Sequence, residues 1–349
     1  MRKFDYSFLD NGLLPANLIN LTSVIYSLKT GAEVRKDEYE KIFTELEKIA
    51  KVQSVKSSNA IEGIITSDER IQQIVNQNSE PLNHNEQEIA GYRDALNQIH
   101  LHYKDIDFSE NTILKLHETM MSYGGYEYGG RYKIDDNLII EEDADVKRKV
   151  SFRPVFAKDT TKAMEQLILA YIDASNNSNI NQLLLIPCVI LDFLCIHPFK
   201  DGNGRMSRLL SLLLLYKNGF DAGKYVSFEE QINNNKGYYY ETLKQSSISW
   251  DTNENTYIPF IQNFLSTSYM CYKELDKRFN VVNSNKITKK ARIEATVLNS
   301  LTAISKTEIC RVLPDVSPTT VEAVLGAMVR DGRIQVIGNG RNTKYSRNI

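Results

Sequence analysis

Between His197 and Arg208 the chain sets an imidazole, a carboxylate, a glycine-rich turn and two guanidiniums within twelve residues. Each residue type has a task. His197 can take a proton near neutral pH. Asp201 offers a hard oxygen ligand suited to Mg²⁺. Gly202, Asn203 and Gly204 let successive backbone N–H groups turn toward one point, and a helix starting at Arg205 would aim its positive end at the same place. Arg205 and Arg208, three residues apart, share a helical face and can reach further oxygens of a polyphosphate. A lone GxG turn or a lone histidine would be read as architecture. A merely structural loop, however, needs neither paired arginines nor an aspartate beside its glycines.

The elements that must hold this loop are legible on both sides. An apolar run, Leu183 to Ile196, leads into it, and a Leu-rich run up to Tyr216 follows it. Two buried helices flanking a polar loop are expected.

The stretch His197–Arg208, HPFKDGNGRMSR, resembles the Fic (filamentation induced by cAMP) signature HPFx[DE]GNGRxxR at every defining position. The resemblance implies a protein adenylyltransferase that moves AMP from ATP onto a Tyr, Thr or Ser hydroxyl of a target protein and releases pyrophosphate. It implies His197 as general base, Asp201 as Mg²⁺ ligand, Gly202, Asn203 and Gly204 around the α-phosphate, and Arg205 and Arg208 on the β- and γ-phosphates. A second stretch, SNAIEG, read alone is a helix end closed by Gly63. Beside the signature it resembles the family's inhibitory motif [ST]xxxE[GN], filled by Ser58, Glu62 and Gly63. That implies autoinhibition in cis, with Glu62 taking the γ-phosphate's place on Arg208.

Residues 132–155 read as a β-hairpin, Leu138–Ile140 and Val150–Phe152 around a charged turn. In Fic proteins a hairpin here is the flap, along which a target segment docks by strand addition. Gly130-Arg131-Tyr132-Lys133 departs from the family's GxYR at Lys133, for which no specific role follows. Asn235 to Leu243 resembles the family's NKxxYYxxL helix, which puts Tyr239 and Tyr240 at an adenine pocket. Both could equally be core aromatics at helical spacing.

The rest of the chain predicts a mainly α protein: a Fic-type helical core with a short hairpin flap, plus a small C-terminal winged-helix domain. Residues 1–84 form an N-terminal helical region carrying the inhibitory helix at about 55–63, with a helix break expected at Gly31. Residues 85–279 form the Fic core, with helices over 85–103, from Ser109 as N-cap, over 160–174, over 181–196 and over 257–279. His117 reads as a packing residue. Residues 280–288 are a polar linker. Residues 289–349 read as helices over 292–301, 306–312 and 317–330, then strands over 334–337 and 343–345.

Across 349 residues the net charge is −2, which gives no general attraction to nucleic acid or membrane. Cys188, Cys195, Cys271 and Cys310 are scattered, as reduced thiols of a cytoplasmic protein would be. No apolar leader or spanning segment is evident. Residues 281–349 carry eleven Lys and Arg against five Asp and Glu. The helix over 317–330 nevertheless offers few base-reading side chains, so protein docking or oligomer contacts are preferred there over DNA. Alternatives stay open: removal of AMP using Glu62 and the metal, a different nucleotide donor, self-modification, homo-oligomer formation, and a DNA-binding regulator.

Overall fold

A computed structural model describes residues 2–142, 148–283, 288–298, 300, 303–340 and 343–347. The apolar run before the loop becomes α8 (Gln182–Ile196), in which every side chain from Leu183 onward is buried. A helix apolar on all sides belongs at the centre of a domain. It packs against α7 (Ala157–Asn176), α9 (Asn203–Lys217) and α12 (Ile258–Asn283). Around them lie α1 (Phe8–Asn11), α2 (Ala16–Glu38), α3 (Glu40–Ile61), α4 (Asp68–Gln77), α5 (His84–His102), α6 (Glu110–Met121), α10 (Phe228–Asn234) and α11 (Lys236–Ser247). The protein is mainly α, with one short antiparallel hairpin beside the helical core, β1 (Ile139–Glu142) and β2 (Arg148–Phe152). The turn expected between its strands falls largely on 143–147, outside the described residues.

Local chemistry sets several ends. Asn83, Ser109 and Asn181 cap α5, α6 and α8 with side-chain oxygens. At the end of α3, Gly63 takes φ +79°, its N–H donates to the Ala60 carbonyl, and the Ile64 N–H donates to Asn59. This is a Schellman closure, and it fixes where the side chain of Glu62 leaves the helix. Gly91 lets α5 and α6 touch backbone to backbone, since a Cβ there would overlap the Met120 carbonyl.

The break expected at Gly31 is absent. α2 runs through it, and the chain turns at Tyr39 (φ −132°, ψ 41°). A mid-helix glycine costs only about 1 kcal/mol, and the packing of α2 along α12 outweighs that. The last core helix also continues past its expected end at 279, so the first part of the polar linker is helical up to Asn283. Residues 284–287 lie outside the described residues.

The N-terminal segment is knotted into the core. Asp192, fully buried in α8, accepts hydrogen bonds from Tyr6 Oη (2.8 Å), Trp250 Nε1 (2.6 Å) and Tyr257 Oη (2.9 Å), and Arg2 lies 3.3 Å from it. Burial pushes this carboxyl's pKa up, and the four donors work against that shift.

The C-terminal part contains α13 (Lys289–Leu298), α14 (Lys306–Val312) and α15 (Pro318–Arg330), with β3 (Ile304–Ser305), β4 (Ile334–Ile337) and β5 (Lys344–Arg347) in one antiparallel sheet of order β3-β5-β4. The expected helix over 292–301 begins and ends earlier, and β3 was not foreseen, being two residues long. Ser305 and Glu308 form a capping box for α14. α14 packs against α3, so the C-terminal part rests on the helix that ends at Glu62.

Candidate active site

His197 ends α8 in the left-handed conformation (φ 52°, ψ 60°), while its N–H still closes the helix on the Phe193 carbonyl at 3.0 Å. Left-handed backbone is uncommon for a residue with a Cβ, and it turns the chain out of the helix into the loop. Phe199, fully buried, then anchors the loop by stacking on His117, with centroids 3.7 Å apart and planes 6° off parallel. His117 does more than pack. Its Nδ1 accepts from the Gly130 N–H at 3.0 Å, which leaves Nε2 to donate to the Asp201 carbonyl at 3.1 Å. The base of the hairpin, α6 and the loop are thereby joined through one neutral imidazole. Burial holds its pKa down at about 4.

Gly202 (φ 78°) is the N-cap of α9, and a Cβ there would press on the Met120 side chain. α9 starts at Asn203, two residues before the expected Arg205. Its first-turn N–H groups have no helical acceptor, so they are donors for an anion. The Asn203 amide is engaged inside the loop, Oδ1 accepting from the Phe199 N–H (2.9 Å) and Nδ2 donating one hydrogen to the Phe199 carbonyl (2.8 Å). Its backbone N–H and the second Nδ2 hydrogen are the donors left at the helix start.

The two arginines are buried, and each is held by a carboxylate. Arg208 donates to Ser58 Oγ (2.8 Å), the Ser58 carbonyl (2.9 Å) and Glu62 Oε1 (2.7 Å). Glu62 lies over Gly204, where a Cβ would collide with its carboxylate. A carboxylate of this chain thus sits on the start of α9 and on Arg208 together. Ser58 and Glu62 thus meet the signature at Arg208, and Gly63 closes the helix that carries them. Arg205 pairs with Glu88 from α5, and its other amino group lies 3.6 Å from Asp201 Oδ2. Asp201 accepts from the Gly202 N–H (2.7 Å) and leaves 60 % of its side chain exposed.

Burial first, and then the charge of Lys133, hold the pKa of His197 down at about 4, with the Leu194 main chain acting the other way. The imidazole is therefore neutral at pH 7, as a proton acceptor must be. Lys133 lies at the root of the hairpin, with its N–H on the Pro198 carbonyl (2.9 Å) and its Nζ on Asn137 Oδ1 (2.8 Å) and the Ile196 carbonyl (3.2 Å). Burial lowers its own pKa to about 8. Tyr239 is buried between Tyr240 and Phe260, whereas Tyr240 is exposed.

Three site residues escaped the sequence reading. Lys133 had been given no role, although its ammonium faces His197. Glu88 carried a signal, since it falls four residues before Tyr92 on the apolar stripe of α5, where an acid needs a buried partner. Lys236 donates to the Ile61 carbonyl at 2.6 Å and so caps the end of α3, a contact between distant segments with no local sign.

Residues 107–215, from the approach to α6 nearly to the end of α9, match the model of the Fic/DOC family. A Fido domain-containing protein of Dictyostelium discoideum is 26 % identical over 141 residues, covering 40 % of this chain and 91 % of that protein. In fold, the chain is similar to a Fic family protein from Desulfovibrio desulfuricans, with TM-score 0.63, 21 % identity, and 96 % and 97 % of the two chains covered. It is also similar to a Fic domain containing signaling protein from Bacteroides thetaiotaomicron, with TM-score 0.56, 20 % identity, and 74 % and 94 % covered. The loop that joins α8 to α9 and the helices that hold it lie within this match, so residues 107–215 carry a Fic/DOC-type domain.

Proposed function

We propose that the protein is an adenylyltransferase restrained by its own Glu62. The observation that carries this reading is the Glu62 carboxylate on Arg208 above Gly204, an internal anion seated where the loop offers its donors. A target hydroxyl attacks the α-phosphorus of ATP, the new P–O bond forms as the bond to the bridging oxygen of pyrophosphate breaks, and the hydroxyl proton passes to the neutral ring of His197. The N–H groups at the start of α9 hold the α-phosphate. Arg205, oriented by Glu88, and Arg208, once released by Glu62, hold the β- and γ-phosphates.

Among the described residues no cluster of three or more His, Cys, Asp or Glu could cage a metal ion. One exposed carboxylate, Asp201, fits Mg²⁺ that takes its remaining ligands from water and substrate phosphates. Such an ion would neutralise charge on the departing pyrophosphate. The exposed hairpin, with Val150 and Leu138 partly open, suits a docked target strand or a loop of a second copy. Residues 289–349 are read as a winged helix that docks protein rather than DNA. Glu322 on α15, paired with Lys306 at 2.8 Å, would face nucleic acid unfavourably.

The test is ATP binding and transfer by wild type and Glu62→Gly. Removing the competing carboxylate should tighten ATP binding at least tenfold and raise transfer of α-phosphate label, read on the intact protein by mass spectrometry. Equal affinity in the two proteins would overturn the restraint, and label arriving from the γ-phosphate would overturn adenylyl transfer.

A further inference from the structure

A second cleft, of about 560 Å³, opens between α3 and α4 on one side and α14, β3 and β5 on the other. Its size suits a small ligand, and junctions between structural units are common places for one. The cleft is well away from the signature loop along the chain, and its lining shares no residue with it.

Its chemistry is unbalanced in two respects. Gln53, on α3 and 4 % exposed, lines the cleft with neither Nε2 nor Oε1 hydrogen-bonded. A buried amide with both ends unmet is costly, and native interiors seldom keep one without a partner from outside the chain. The second imbalance is charge. Lys51, Arg311 and Lys344 line the cleft, and none has an ion-pair partner among the described residues. Of the two acids there, Glu45 pairs with Lys48, also on the lining, at 2.8 Å, and Glu308 accepts from the Ser305 N–H at 2.7 Å, so four cationic side chains face two carboxylates. Val52, Val75 and Ile304 add apolar surface to the lining.

An unmet donor and acceptor on one side chain can pair in bidentate fashion with a heterocycle edge, as glutamine does with the N6 and N7 edge of adenine. Unpaired guanidinium and ammonium groups in the same cleft suit a phosphate. We propose that this cleft is a binding site for a purine mononucleotide, with Gln53 reading the base and Lys51, Arg311 and Lys344 holding the phosphate. The cleft is separate from the transfer chemistry. Its α3 wall belongs to the helix that ends at Glu62, so an occupant would brace that helix.

The probe is AMP, added to the full chain, with hydrogen exchange followed in peptides covering 48–56 and 304–312. Protection of these peptides is expected at sub-millimolar AMP, whatever happens at peptides covering 197–208. Arg311→Glu with Lys344→Glu, on exposed and half-exposed positions, should weaken that protection at least tenfold. Gln53→Met keeps the side chain's length and removes only the unmet amide. It should leave thermal stability unchanged or raised, and weaken AMP at least tenfold while inorganic phosphate binds as before. Protection confined to 197–208, or protection of the cleft peptides that neither variant changes, would overturn the proposal. Because the readout is local exchange, it fails or succeeds independently of adenylyl transfer.

Discussion

The two imidazoles at the site should make the fold acid-sensitive within a defined window. His117 and His197 both have folded pKa values of about 4, against about 6.5 for an exposed imidazole. The unfolded chain therefore binds protons that the folded one refuses. Stability is whole above pH 6.5, falls as the pH drops below that value, and stops falling once the pH passes the folded value. Between pH 7.5 and pH 5 each group costs about 2 kcal/mol, hence about 4 kcal/mol together, a large share of the 5–15 kcal/mol typical of a domain. Urea unfolding of wild type at pH 7.5, 6.5, 5.5 and 5.0 gives the slope. The comparison is His117→Asn with His197→Asn, since asparagine tolerates the left-handed backbone at 197. The variant starts less stable, but its profile should be flatter by about 4 kcal/mol over this range. Glu86, held down to about 2 chiefly by Arg70, titrates below the window and is common to both proteins. Parallel profiles would refute the reasoning, because the imidazoles would then titrate alike in the folded and unfolded chains.

Other perturbations test neighbouring links. Lys133→Met removes the ammonium that lowers the pKa of His197; the histidine's Cε1–H titration should move up toward the ordinary range, and the acid limb of the transfer rate should move with it. Arg2→Ala strips the counter-charge from buried Asp192, which should cost about 3–5 kcal/mol of unfolding free energy in urea. Gly91→Ala drives a Cβ into the Met120 carbonyl and should cost about 1–3 kcal/mol, as overpacking does, with a lowered midpoint in thermal melts. Asn203→Ala removes both bonds to the Phe199 backbone and should lower transfer, while ATP affinity in the Glu62→Gly background changes less than the rate.

The signature loop was legible because its information is local. The glycines, the apolar flanks and, for α6, the cap at Ser109 act within a few residues of themselves. The hairpin and the order of the C-terminal helices were legible for the same reason. The partners that complete the site were less so. Arg205 had been assigned to phosphate without its companion Glu88, which lies more than a hundred residues earlier. The end of α3 is capped by Lys236 from α11, and no nearest-neighbour pattern encodes such a contact. Asn203 shows a contact of another kind. Its type suits an anion, but the turn after Pro198 leaves the Phe199 N–H and carbonyl without strand or helix partners, and the amide four residues later meets both. The absence of the expected break at Gly31 is a case of packing overriding propensity, since α2 packs along α12.

The knot around Asp192 also bears on how the protein is made. Arg2 and Tyr6 leave the ribosome well before Asp192, and Trp250 and Tyr257 follow later still. At about 5–20 residues per second, the last of these partners appears roughly 12–50 s after the first. Until then the carboxyl that α8 carries in its apolar length has only Arg2 and Tyr6 and lacks two of its four donors. The site is therefore assembled only when most of the core has been synthesised, so a nascent chain interrupted before Trp250 would hold the whole signature without the lock that seats its leading helix.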